Sequence, residues 1–194
     1  VGNTNAKAFI ILKGGKIALE QYYGTFTMDS IWYWASAGKS LASVMIGKAQ
    51  QDGILNINDS TSHYLGAAWT SCTSAQEGSI TIKEQLKMTT GLKDNVPDEN
   101  CTDDTCLIYQ ADAGTRWAYH NAPYHLLHDV IEQASGLTLN QYTNQKIKTP
   151  TGMGSGFWFD HVYYSKPRDM ARFGLLCAAN GNWNGTPVLI DPTY

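Results

Sequence analysis

Two apolar runs, Ala8 to Leu12 and Ile17 to Tyr23, are separated by Lys13-Gly14-Gly15-Lys16, and this spacing predicts a tight β-hairpin. The period then changes. From Leu41 to Gln51, apolar residues at Leu41, Val44, Met45, Ile46 and Ala49 follow helical spacing, and Gly53 supplies a stop. The next stretch, 56–79, is rich in turn residues and has little periodicity, so it predicts a loop with one short turn of helix. Thr81-Ile-Lys-Glu84 has the form of a capping box that opens a helix ending near Gly91. A long irregular stretch from Lys93 to Thr115 follows, and irregular stretches of that length in compact domains are often functional.

Pro123 has the position of a first-turn proline, with Leu126, Leu127, Val130, Ile131 and Ala134 forming one apolar face up to Gly136. Thr138 is placed to cap a short helix reaching about Lys148. Phe157 to Tyr164 reads as extended. Ser165-Lys-Pro167 opens a last helix with Met170, Phe173, Leu176 and Cys177 facing inward, ending at Asn180-Gly181. The one well-marked sheet element is therefore the N-terminal hairpin, and an isolated two-stranded hairpin is marginal in water. The expectation is that strands pairing with it lie outside this chain.

Composition adds exclusions. With 14 basic and 17 acidic side chains among 194 residues, the net charge is −3 and is spread without blocks, so there is no electrostatic footprint for nucleic acid or an anionic surface. No apolar run is long enough to span a membrane. Six Trp and eleven Tyr give more aromatic surface than most soluble domains carry, which suits a cleft for a small substrate. Cys101 and Cys106 bracket a short polar loop that a disulfide closes more readily than a metal, since no second Cys or His pair with zinc-like spacing lies nearby. Cys72 and Cys177 read as free thiols.

The candidate chemistry begins with Trp32-Tyr-Trp-Ala-Ser-Ala-Gly-Lys39. A helix sets residues three apart on one face, so Ser36 and Lys39 can touch, and the free N–H groups at a helix start favour an oxyanion forming there. Ser-x-x-Lys alone is weak, with about one chance match expected in a chain this size. Tyr119-His-Asn121, just before the Pro123 helix, strengthens it. A phenol can relay a proton to a leaving group, and an amide can hold a substrate carbonyl or fix the lysine. Tyr142-Thr-Asn144 repeats the pattern inside an amphipathic helix and is structural. His120, between Tyr119 and Asn121, is expected to alternate away from the cleft, with tuning of Tyr119 as the alternative.

Together, Ser36-Ala-Gly-Lys39, Tyr119-His-Asn121 and the connecting segment at 80–92 resemble the serine hydrolases of the β-lactamase and penicillin-binding protein family. The branch is similar to class C β-lactamases, D-Ala-D-Ala carboxypeptidases, esterases and 6-aminohexanoate-dimer hydrolases. The likeness also covers residues 53–66 and 165–176. It implies an α+β, β-lactamase/transpeptidase-like fold: an antiparallel sheet flanked by helices plus a mostly helical lobe, with the sheet incomplete in this chain. On this reading residues 1–194 are one domain, expected to be incomplete at both ends, with 1–30 giving the hairpin to the sheet and 31–180 the mostly helical lobe.

By the same resemblance Ser36 is the acylated nucleophile, Lys39 its activating partner, Tyr119 the proton shuttle and Asn121 a substrate-positioning amide, with no cofactor or metal. The family's third motif, on an inner strand, is expected C-terminal to everything present. Lys13-Gly14-Gly15 matches it only formally, in a hairpin turn. A second polypeptide or a C-terminal segment would then complete the sheet. Trp34 and its neighbours either wall an acyl pocket or pack behind the first helix, and Tyr109 is a candidate for the substrate rim. The implied reaction is hydrolysis of a small ester or amide; a penicillin-binding carboxypeptidase or β-lactamase, and a non-catalytic scaffold, stand as alternatives. The implied compartment is secreted or periplasmic, with the leader absent from this chain.

Overall fold

The computed structural model describes residues 5–191 and Tyr194. The chain opens with β1 (Ala8–Lys13), β2 (Lys16–Tyr22) and the short β3 (Trp32–Tyr33), then a 3₁₀ turn at Ala35–Ala37 that runs into α1 (Gly38–Gln51). Three short helices follow, α2 (Ser62–Leu65), α3 (Ser74–Gly78) and α4 (Ile82–Leu86), and then the long α5 (Asn121–Ser135). α6 (Leu139–Thr143), a π turn at Asn144–Lys148 and α7 (Thr149–Thr151) lead to the hairpin β4 (Phe157–Phe159) and β5 (Val162–Ser165). α8 (Pro167–Ala178), β6 (Asn182–Trp183) and β7 (Thr186–Pro187) complete the order. The chain divides into two units: Val1–Leu41 with Thr143–Thr193, and Ala42–Tyr142 with Tyr194.

The first unit holds the strands. β1 pairs with β2, β5 lies between β3 and β4, and β6 pairs with β7; every pairing among the described residues is antiparallel, and each sheet has only two or three strands. Gly14 and Gly15 both adopt left-handed φ, 55° and 76°, which gives the turn whose twist matches flanking antiparallel strands. Asp160 and His161 do the same at 46° and 59° between β4 and β5, where no glycine announces the turn. α8 packs against β1, and Arg168 donates two hydrogen bonds, at 2.7 and 2.6 Å, to the Glu20 carboxylate of β2. Within α8, Phe173 and Leu176 are buried as expected. Met170 and Cys177 instead face solvent.

Helices build the second unit. α5 packs against α2 and α4, and its apolar face, including Leu126, Leu127, Val130 and Ile131, is buried. One cluster gathers Trp69, Ile80, Leu92, Leu107, Ala122 and Leu126. Two buried polar side chains organise the loops. The Glu77 carboxylate accepts from the backbone of Ala68 and Thr70 and from the Thr70 hydroxyl, all within 2.9 Å. Gln85 accepts from Thr61 Oγ1 and donates to the Pro123 carbonyl, each at 2.8 Å. Cys101 and Cys106 are joined by a disulfide in a loop whose base is closed where Gly91 O accepts from Gln110 and Ala111.

Candidate active site

In the first unit, the Ser36 region is held from below by the β3–β5 pairing, Trp32 opposite Ser165 and Tyr33 opposite Tyr164. The Trp34 N–H donates to Tyr163 O at 2.7 Å, and its indole N–H donates to Ser165 Oγ at 2.8 Å. Trp34 is 5% exposed, edge-on to Tyr163 and tilted over Phe173. The structure thus places this ring in the core beneath the helix start, its N–H already used, while Trp32 and Tyr33 keep exposed faces.

Ala35, directly before the serine, has φ 46°. A left-handed non-glycine residue costs about 1–2 kcal/mol, and such strain persists only where the surroundings over-determine it. Here the two Trp34 hydrogen bonds and the Ala37 N–H to Trp34 O bond at 3.1 Å do so. The turn lifts Ser36 into an exposed position and leads into α1, where Gly38 N–H bonds back to Ala35 O and Ser36 O. Lys39 Nζ donates to Ser36 Oγ at 3.4 Å, a long hydrogen bond. The partial positive charge of the α1 start favours negative charge on the serine side.

In the second unit, residues 116–120 lead into α5 without regular secondary structure. Two backbone bonds at 3.0 Å pin this segment, Ala118 N–H to Met88 O and Ala122 N–H to Glu99 O. Side chains alternate across it. Trp117 and Tyr119 are exposed, at 65% and 44%, and His120 is buried at 3%. Asn121 opens α5, half-buried. Tyr109 is exposed and donates to Asp112 at 2.9 Å; that hydrogen bond, ahead of burial, pushes its phenol pKa up, so Tyr109 is a donor rather than a base.

His120 lies on the buried side, as its alternation with Tyr119 predicts, but spacing did not disclose that its ring is unpartnered. Neither ring nitrogen has a hydrogen-bond partner among the described residues, nor does Asn121 Oδ1 or Arg116 Nη1. An unmet buried polar group costs about 1–3 kcal/mol, so each asks for an explanation. Burial lowers the imidazole pKa; Asp94 and Glu99 act in the opposite direction and Arg116 reinforces the lowering. Arg116 is itself bonded to Asp94 at 2.7 Å, which holds the Asp94 carboxyl below the usual range. Among the described residues no helix is long and apolar enough to cross a membrane.

The model of the β-lactamase family matches residues 5–189. Protein flp of Staphylococcus aureus is 24% identical over an alignment of 213 residues that takes in 100% of this chain and 41% of that protein. The chain therefore spans under half the length of this curated relative. Among solved structures, a candidate β-lactamase from Bacteroides dorei superposes with a TM-score of 0.78 at 24% identity, covering 94% of this chain and 60% of that one. A candidate 6-aminohexanoate-dimer hydrolase from Bacillus anthracis gives the same TM-score, 0.78, at 17% identity, covering 94% of this chain and 56% of the other. The likeness of fold and the match over nearly the whole chain agree with the strands and helices described above, and the chain belongs to the β-lactamase family of serine hydrolases.

Proposed function

We propose that this chain carries the acylation centre of a serine acyl hydrolase that cleaves a small ester or amide. Ser36 Oγ attacks the substrate carbonyl as Lys39 takes its proton, and the tetrahedral oxyanion is stabilised at the α1 start. Tyr119 passes a proton to the departing alcohol or amine, leaving Ser36 acylated. Water then attacks the acyl-enzyme, releasing the acid and restoring the serine hydroxyl. Asn121 holds the substrate amide or ester carbonyl, and Tyr109 forms part of its rim. The observation that carries this reading is the Lys39 Nζ to Ser36 Oγ hydrogen bond at the mouth of α1.

A short linear amide is the favoured substrate class, because a solved structure of the same fold is a candidate 6-aminohexanoate-dimer hydrolase. A β-lactamase or D-Ala-D-Ala carboxypeptidase is the second reading, favoured by the Bacteroides dorei structure. A long-lived β-lactam adduct would select it. The reading includes a structural partner. Strands of a second polypeptide or of a C-terminal segment complete the sheet; Phe9, Ile11, Ile17 and Leu19 of the hairpin, each at least 43% exposed, support this. The disulfide fits an oxidising compartment, secreted or periplasmic.

The test is a fluorophosphonate probe followed by intact mass and peptide mapping. One adduct on the Ser36 peptide is expected, with none in a folded Ser36→Ala variant. An adduct elsewhere, or unaltered ester hydrolysis in Ser36→Ala, rejects the mechanism.

A further inference from the structure

His120 sits between the two residues assigned to proton transfer and substrate positioning, yet its own side chain faces the other way. Its backbone is extended, φ −134° and ψ 116°, and it is the last residue before α5, so it sets the angle at which the exposed segment turns into the helix. The bonds from Ala118 to Met88 and from Ala122 to Glu99 hold the backbone on either side, two residues away in each direction. Between them, the ring lies in the interior. It is 3% exposed, and among the described residues neither nitrogen has a hydrogen-bond partner, so packing is what the structure offers to hold it.

Such a ring is tolerated only while neutral. A protonated imidazole carries a charge and two N–H donors, and burial without partners disfavours it strongly. The charged groups that act on it are Asp94, Glu99 and Arg116. Asp94 is already engaged by Arg116, and the Glu99 carbonyl already receives the Ala122 N–H. An imidazolium drawn toward either carboxylate would therefore pull on the contacts that align Tyr119 and Asn121.

We infer that His120 is a positioning residue: its neutral, buried ring fixes Tyr119 and Asn121 at the start of α5, and its protonation misaligns them and sets an acid limit on acyl transfer. This rests on the reading of Tyr119 as proton shuttle, but the positioning is testable without it. The alternation of exposed and buried side chains and the pinned backbone carry the inference. The lowered imidazole pKa agrees with it.

The experiment places 3-fluorotyrosine at position 119 and follows its ¹⁹F shift against pH, alongside ¹³C-histidine spectra. Wild type, His120→Gln and His120→Leu are compared. In wild type the ¹⁹F shift is expected to inflect at the midpoint of the His120 ring, below the ordinary histidine value of about 6.5. Both variants are expected to lose that inflection. Fluorophosphonate labelling of wild type should slow relative to either variant by about tenfold per pH unit below the midpoint, as the neutral fraction falls. A ¹⁹F profile unchanged in His120→Gln, or a His120 titration that leaves Tyr119 unmoved, overturns the inference. The wild-type titration stands even where a variant fails to fold. A coupled ¹⁹F titration in a protein that no probe labels upholds the positioning role and rejects the hydrolase reading instead.

Discussion

A serine hydroxyl beside a lysine does nothing until its proton has somewhere to go and the oxygen is held in place. At Ser36 the second condition comes from the backbone. Ala35 is left-handed at φ 46°, and the ring of Trp34 is anchored beneath by Ser165 and Phe173. In the proposed reaction, the first condition depends on Lys39 and Tyr119. Replacing either is expected to lower kcat/KM for a small ester by at least about 100-fold, the range of a lost acid–base group. Lys39→Ala and Tyr119→Phe, assayed at matched folded fractions, check this; a near-native rate in either would reassign that group. Spacing alone brought Ser36 and Lys39 together, because three residues of helix need nothing distant. For Trp34 spacing left two options, and burial decided for the core because the strand beneath it, β5, brings Ser165 from 131 residues away.

At the scale of elements, the long helices follow from their periodicity. α1, α5 and α8 begin and end close to the apolar patterns that mark them, and Gly136 closes α5 at φ 69°, as a left-handed C-terminal glycine should. α4 is different. Thr81 does cap it, accepting from Glu84 N–H at 3.4 Å, but the helix stops at Leu86 and Met88 turns left-handed at φ 57°, well before Gly91. The stretch after it is held by tertiary bonds, Gly114 N–H to Thr89 O and Ala118 N–H to Met88 O, that outweigh local helix propensity.

Gly91 itself serves the loop rather than the helix. At φ 76°, a Cβ there would lie 2.0 Å from Ala111 O, against the backbone that closes the disulfide loop. Gly91→Ala is expected to cost at least about 2 kcal/mol, lowering Tm by about 4–8 °C. Gly53→Ala, at φ 69° with open space around it, should lose only the conformational part, about 1 kcal/mol. Equal losses in the two variants would show that the Ala111 contact does not matter.

At the scale of the whole molecule, one long-range polar link joins β2 to α8. Glu20 and Arg168 are 148 residues apart in sequence, and the hydrogen bonds from Arg168, with a further one from Tyr22, hold the Glu20 carboxyl down to about 2. A carboxyl with a depressed folded pKa contributes stability that is fully present above its unfolded value, about 4.3, and is lost as pH falls towards about 2. Thermal melts across that window should therefore fall more steeply for wild type than for Glu20→Gln, with the gap narrowed by salt because the pair is partly exposed. Parallel curves would mean the link adds nothing.

The same distinction of range separates what was readable from what was not. The hairpin, the three long helices and the Ser36–Lys39 pairing follow from residues within a turn or two of one another, where periodicity, capping and glycine conformation decide the outcome. The strand β3, only two residues long, could be assigned only once β5 was in place. Likewise, the burial of Trp34, the unpartnered ring of His120 and the Glu20–Arg168 bond depend on which distant segments pack together. Local sequence carries no record of those neighbours, and the burial that gives each side chain its chemistry exists only after the chain has folded.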